Sequence, residues 1–507
     1  MVALGLLACL AHFVLFTGHT TAAPSASTTK ACQDIDSALP DRLSWPLELL
    51  YITETQEYWS TALRDLRPAC VVHPINTSEV ATIVQILNNY PDVNFSAKSG
   101  GHDPNPGHGS VQDGVLIALR KISGATYDAE TNLAYVKPGG EWNDVIGDLE
   151  PYNVTVVGGR LGIVGVGGYL LQGGISFLSA QYGLAADSIV GWDTVMPNGS
   201  IINVDASTRP DLAVAMKGSG SQFGIVTQFT IEAHPIGEVW GGLRIYDDTQ
   251  RETLYTALHN FVPNGAEDPK AAIIFTDVLA VGSIPVIIIY YFYDGSAPPT
   301  TGALAQFLEI PALVDQTFPR KYTDLLQSNG APAALLMSRV SFRTFTIPHV
   351  PENTSIYAEI HQYWASVVSK YLDNPLHATA QCSIDYQPVP SLIGQHSQDR
   401  GGNAIGLSGS DPNRLFLELQ CSWASAGDDD TVYNLTREVT EWLETKIPEW
   451  NVQAGLGESS YLPYFMNDAM GDQNVTGSYR GYVGLKALQQ EVDPQGLFRS
   501  RAGGFKY

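Results

Sequence analysis

The chain has 507 residues, with 28 Lys and Arg against 52 Asp and Glu, so its formal charge is −24 with neutral histidines. A charge of that sign opposes nucleic acid and anionic membranes as partners. With 44% hydrophobic and only 16% charged residues the sequence has ample material for large cores, which excludes a disordered chain or a coiled coil and suits two or three domains.

Residues Val2 to Phe16 form an apolar run broken only by His12, followed by Thr20-Thr21-Ala22-Ala23, small residues where a signal peptidase would cut. The run is shorter than the ~20 residues of a membrane span, so residues 1–22 read as a secretory signal, with a retained anchor as the weaker alternative. Asn-x-Ser/Thr sequons begin at Asn76, Asn94, Asn153, Asn198, Asn353, Asn434 and Asn474, as expected for a glycoprotein of the secretory pathway. Removal of Cys9 leaves Cys32, Cys70, Cys382 and Cys421, an even set in a compartment that permits disulfides. Cys32 with Cys70 is the expected pair, and Cys382 with Cys421 is a separate conjecture beside two buried free thiols. No Cys/His cluster suggests a metal site.

Next in chain order, Cys70-Val71-Val72 reads as a strand. Val80, Ile83, Val84 and Leu87 recur at helical spacing behind Thr77 and Ser78, and Val93-Asn94-Phe95 reads as a second strand. Further strands are expected at Val115–Leu119, Ala134–Val136, Ser200–Val204 and Gly224–Ile231. From about Trp240 the texture changes to long strands at Ile273–Phe275 and Val286–Tyr293, and Leu435, Val439, Trp442 and Leu443 mark an amphipathic helix. The pattern is α+β in two lobes, with a boundary near residues 235–240.

Two loops draw attention. The first, Ser96 to Ser110, contains Ser99-Gly100-Gly101-His102 and Gly107, and consecutive glycines let backbone N–H groups converge on an anion such as a phosphate. Taken alone it also reads as a surface turn. The second, Gly158 to Gly174, is dense in glycine and suggests close backbone approach to a flat or phosphorylated ligand. It lacks the Rossmann fingerprint, because Leu170 stands where the third glycine of Gly165-Val166-Gly167 would fall.

Five ordered strings then resemble one family: Ser99–His102; Val136-Lys137-Pro138-Gly139-Gly140-Glu141-Trp142; the glycine stretch through Val164, Gly165, Gly167, Gly168 and Gly174; Tyr182–Asp187; and Gly218–Thr227 with Gly220, Gly224, Ile225 and Val226. Together with Asp493–Arg499 they are similar to the FAD-linked oxidases of the vanillyl-alcohol oxidase and berberine-bridge-enzyme type, fungal members above all. The resemblance implies a PCMH-type FAD-binding domain of two subdomains plus a substrate domain whose antiparallel sheet roofs the flavin. The implied division is an N-terminal segment 23–65, an FAD-binding domain 66–238, a substrate domain 239–460 and a C-terminal segment 461–507 that returns to the FAD domain.

In such relatives the histidine at the place of His102 is bonded to the 8α-methyl group of the flavin, which raises its potential. A loop histidine that merely hydrogen-bonds a phosphate is the alternative. Many berberine-bridge relatives carry a second tether through a cysteine at the place of Leu161, so the resemblance implies attachment through His102 alone. Val164 corresponds to the position that gates oxygen, and a small valine there favours an oxidase that passes electrons to O₂. Asp103 replaces a common serine, and Gly406 stands where plant alkaloid enzymes have their glutamate base.

Tyr461–Asp468 resembles a Tyr/Asn motif beside the flavin, which implies Tyr464 as proton acceptor and Asn467 as the residue that orients flavin or substrate. Core packing of Tyr464 and a turn cap at Asp468 are the plainer reading. The expected activity is oxidation of a small organic molecule at an alcohol, amine or phenolic carbon, with ring closure in natural-product biosynthesis as one outcome. A secreted carbohydrate oxidase and a flavin-binding protein without turnover are the competing readings.

Overall fold

The computed structural model describes residues 24–280, 284–334, 338–457 and 460–507. The expected signal, residues 1–22, lies outside the described residues. No helix among the described residues is long and apolar enough to cross a membrane.

The first sheet has four strands in the order Leu43–Ser44, Cys70–Val72, Val115–Ala118, Phe95–Lys98. Its last three strands run parallel, and all four residues of Val115–Ala118 are buried, as a sheet covered on both faces demands. Helix Thr77–Asn88 lies against this sheet through Val80, Ile83, Val84 and Leu87. Its cap is Asn76, whose side chain accepts the N–H of Glu79 at 2.9 Å. Disulfide Cys32–Cys70 ties helix Ala26–Ala38 to the same sheet.

A second, wholly antiparallel sheet runs Ala125–Asp128, Leu133–Val136, Ile225–Glu232, Ile189–Val195, Ile201–Val204. The third is larger. Its central path is Val239–Tyr246, Ile284–Tyr293, Ala271–Ala280, Gln381–Val389, Arg414–Trp423, Arg339–Pro348, all antiparallel.

Alternation along these strands decides what each face meets. Cys382, Ile384 and Tyr386 pack with Leu417, Leu419 and Cys421 on the side covered by helices Ser355–Leu372 and Asp429–Gln453. Gln381, Ser383, Asp385 and Gln387, with Glu418 and Gln420, face the opposite way, into a cavity. Disulfide Cys382–Cys421 joins directly paired positions on the covered face.

The chain end returns to the first sheet. The carboxylate of Asp493 accepts the N–H groups of Leu497, Phe498 and Arg499 at 2.7, 2.9 and 3.0 Å, which turns the chain sharply. Arg501 then donates to the carbonyls of Val93 and Leu87, both at 2.9 Å, and Leu497 and Phe498 enter the core of that sheet.

Candidate active site

The cavity has a volume of about 590 Å³ and extends from Phe95, Phe498 and Ala502 beside the parallel sheet to Asp385 and Glu418 under the third sheet. That volume is in the range of small-molecule and cofactor sites.

Its floor is made by the two glycine loops, which touch without intervening side chains. A Cβ on Gly100 would lie 2.5 Å from the Cα of Gly165, and a Cβ on Gly165 would lie 2.5 Å from the nitrogen of Gly100. Ser99 joins the loops: its hydroxyl accepts the N–H of Gly167 at 3.1 Å and donates to the carbonyl of Pro138. Gly101 turns with φ +69° and Gly220 with φ +72°, conformations that need glycine. Nothing lies within 4 Å of a Cβ placed on Gly168, so this cavity wall is open backbone. The N–H groups of Gly100, Gly101 and His102 have no acceptor among the described residues.

His102, Gly224, Ile225 and Val226 line the same floor. The His102 imidazole stacks on Trp59 with ring centroids 4.2 Å apart and planes 11° apart. Enclosure by protein outweighs the nearby Asp103 and lowers its pKa to about 4, so the ring is neutral at ordinary pH. Asp103 itself is bonded to His108 Nδ1 at 2.9 Å and to the N–H and side chain of Asn105, which fixes the loop.

Asn467 also lines the cavity. Its Oδ1 accepts the N–H of Gly174 at 3.0 Å and its Nδ2 donates to the carbonyl of Tyr169 at 3.2 Å, so it orients the second loop. Gly174 and Gly107 stand behind the lining; the N–H of Gly107 is taken by the Ser110 hydroxyl at 3.0 Å. Leu161 and Val164 face the cavity, and every cysteine among the described residues is in a disulfide, so no thiol reaches the floor.

Tyr464 is placed differently from its expected role. It is outside the cavity lining, and its hydroxyl donates to Glu444 Oε1 at 3.1 Å. Burial and the Glu444 charge push its pKa up to about 12, opposite to what a proton acceptor needs.

The roof instead supplies three carboxyl groups that sequence reasoning missed as a site. Asp385 and Glu418 are directly paired on adjacent strands, and Asp468 lines the same cavity. Gln387 donates to Asp468 Oδ2 at 2.6 Å, and Arg160 donates to Gln387. Burial, reinforced by mutual repulsion, raises Asp385 to about 7 and Glu418 well above the usual carboxylate range, and burial raises Asp468 to about 6. Arg160 opposes the rise at each. One guanidinium against three acids leaves the cluster holding a proton near neutrality, the condition of a poised acid or base.

The floor fits a dinucleotide: it offers backbone approach, unpaired N–H donors and a neutral imidazole at the mouth of the roofed space.

Comparisons with known proteins agree with this geometry. A model for an FAD binding domain matches residues 68–205. The chain is 34% identical over 465 residues to an uncharacterized FAD-linked oxidoreductase of Arthroderma benhamiae, covering 90% of each. It is 30% identical over 490 residues to the FAD-dependent monooxygenase drtC of Aspergillus calidoustus, covering 93% of this chain and 88% of the relative.

Among solved structures, glucooligosaccharide oxidase from Acremonium strictum, with its 6-S-cysteinyl, 8α-N1-histidyl FAD, superposes with a TM-score of 0.73 at 16% identity, covering 94% of this chain and all of that one. 6-Hydroxy-D-nicotine oxidase from Arthrobacter nicotinovorans gives 0.70 at 18% identity, covering 91% and 97%. At such identities the structural matches establish the fold.

Proposed function

Because the chain belongs to the FAD-linked oxidoreductases of the vanillyl-alcohol oxidase and berberine-bridge-enzyme type, we propose that it oxidises a small organic molecule at an alcohol, amine or phenolic carbon, with FAD tethered through His102 alone and O₂ as final acceptor. The observation that carries this reading is the single cavity that places the glycine and His102 floor opposite the Asp385, Glu418 and Asp468 roof. FAD, when bound, supplies the acceptor for a hydride from the substrate carbon.

The residues of the chain do the rest. Ser99 joins the two loops that would hold the cofactor, and Asn467 fixes the second of them. The neutral imidazole of His102 has a ring-nitrogen lone pair to bond with. Leu161 offers no nucleophile for a second bond, and the small Val164 leaves room for dioxygen. The carboxyl cluster takes the O–H or N–H proton of the donor, which makes loss of hydride from the adjacent carbon easier. Arg160 limits the charge that then accumulates.

Entry to the secretory pathway belongs to the same reading. Six of the seven sequon asparagines are exposed and Asn353 is half-buried, so all are open to sugar attachment.

The names of curated relatives such as the Aspergillus calidoustus enzyme favour a second reading, insertion of one oxygen atom into the substrate. Anaerobic mixing with candidate donors, followed at flavin wavelengths, tests the oxidation. Bleaching by a donor, then peroxide equal to product on admission of O₂, is the expected result. Labelled oxygen recovered in the product selects the monooxygenase reading, and no bleaching with any donor leaves a binding protein.

A further inference from the structure

Trp59 belongs to a short strap that joins the floor of the cavity to its roof. On the floor side the N–H of Trp59 donates to the carbonyl of Gly101 at 3.1 Å, one residue before His102. On the roof side the next two residues bond to the chain at the start of the edge strand Arg339–Pro348. Ser60 Oγ accepts the N–H of Val340 at 2.9 Å and donates to its carbonyl at 3.2 Å, and the N–H of Thr61 donates to the carbonyl of Ser338 at 2.9 Å.

Both ends of the strap are anchored by ions. Before it, Glu54 meets the buried Lys98 at 3.1 Å and Arg120 at 2.6 Å. After it, Asp65 meets Arg339 at 2.8 Å. The indole itself contacts two rings: it is nearly parallel to His102 and stands 5.1 Å from Phe342 of the roof at a tilt of 46°.

A side chain so held has little freedom to move, and it fixes the plane of the imidazole that stacks on it. We propose that Trp59 is a positioning residue that presents the His102 imidazole to the flavin for covalent attachment. This rests on the tether assigned to His102 above. Attachment forms one C–N bond between a ring nitrogen of His102 and the 8α carbon. The imidazole N–H hydrogen and one methyl hydrogen leave with two electrons on the flavin ring, and dioxygen removes both as hydrogen peroxide. A ring held in one plane reaches the carbon without a search through rotamers, the usual gain of orientation.

The test follows attachment directly, on the full-length protein produced without flavin and then supplied with FAD in air. Covalent flavin is read as a fluorescent protein band after denaturation. Trp59→Leu keeps apolar bulk and removes the ring; Trp59→Phe keeps a ring. Attachment about tenfold slower in Trp59→Leu is expected, the loss that removal of a stacked aromatic contact implies, with Trp59→Phe within about twofold of the parent. Melting temperatures unchanged in both variants are part of that expectation.

Equal rates in Trp59→Leu and the parent overturn the proposal. So does equal slowing in both variants with lowered melting temperatures, which assigns Trp59 to packing alone. The parent reading fails separately: the unsubstituted protein then shows no fluorescent band, or His102→Ala retains one.

Discussion

Glu418→Gln keeps the shape of the side chain and removes its capacity to take a proton. If the roof cluster accepts the substrate proton, this variant keeps its flavin and reduces it about 10²–10⁴-fold more slowly in anaerobic stopped flow, the range for loss of a positioned base. Asp385→Asn shifts the rate in the same direction. The pH dependence has a definite sign. Because a base works ionised and burial raises Asp385 to about 7 and Asp468 to about 6, kcat/KM rises with pH through that interval. The apparent values belong to the coupled set of three carboxyls, so Glu418→Gln alters the whole rising limb. Tyr464 provides the contrast. Its hydroxyl serves Glu444, outside the cavity, and Tyr464→Phe is expected to keep turnover within about twofold, because the ring and its packing against Phe345 are retained. A turnover loss as large as that of Glu418→Gln would return Tyr464 to the mechanism.

Local periodicity made the elements legible where the chemistry did not show. The strand expected at Val115–Leu119 differs from the observed Val115–Ala118 by one residue at one end, and that at Gly224–Ile231 from the observed Ile225–Glu232 by one residue at each end, because apolar runs bounded by glycine read the same way in sequence and in space. Ile273–Phe275 and Val286–Tyr293 sit inside longer strands of the third sheet. The floor was legible for a related reason: its glycines and His102 are close in sequence, so one string carries the loop. The roof was not, since Asp385, Glu418 and Asp468 come from three distant segments, and each is a lone charge in a pattern that reads equally well as a solvated face. The strand Gln381–Val389 carried a usable signal, polar at 381, 383, 385 and 387 with Cys382, Ile384 and Tyr386 between. Pairing of Cys32 with Cys70 was expected and is present, closing a separation of 38 residues. Replacing both with Ala frees helix Ala26–Ala38 from the parallel sheet, and denaturant titration should show about 2–4 kcal/mol lost. An unchanged denaturation midpoint would mean that the helix docks through its apolar face alone.

Stability of the whole molecule against pH pits two buried sets of opposite sign. His102, His234 and His349 are each lowered to about 4 by burial, so the unfolded chain binds protons that the folded one refuses, and stability falls as pH drops from about 6.5 toward 4. Asp385, Asp468 and Glu418 are raised, so the folded chain holds protons that the unfolded one releases. The contribution of Asp385 and Asp468 is full below about 4 and is lost as pH climbs through about 7 and 6 respectively. The two sets oppose each other over the same acidic interval. Above neutrality the histidines are uncharged in both states and drop out, which leaves the ionised Asp385 and Asp468 as an uncompensated cost inside a chain already carrying −24. A neutral amide in place of the Asp385 carboxyl imitates the protonated acid. Asp385→Asn is therefore expected to raise the melting temperature at pH 8, on the order of 2 °C for each kcal/mol relieved. At pH 5, where the parent cluster is already largely protonated, it should change little. Differential scanning calorimetry of parent and variant at both pH values measures this, and an equal gain at pH 5 and pH 8 would assign the effect to packing rather than to charge.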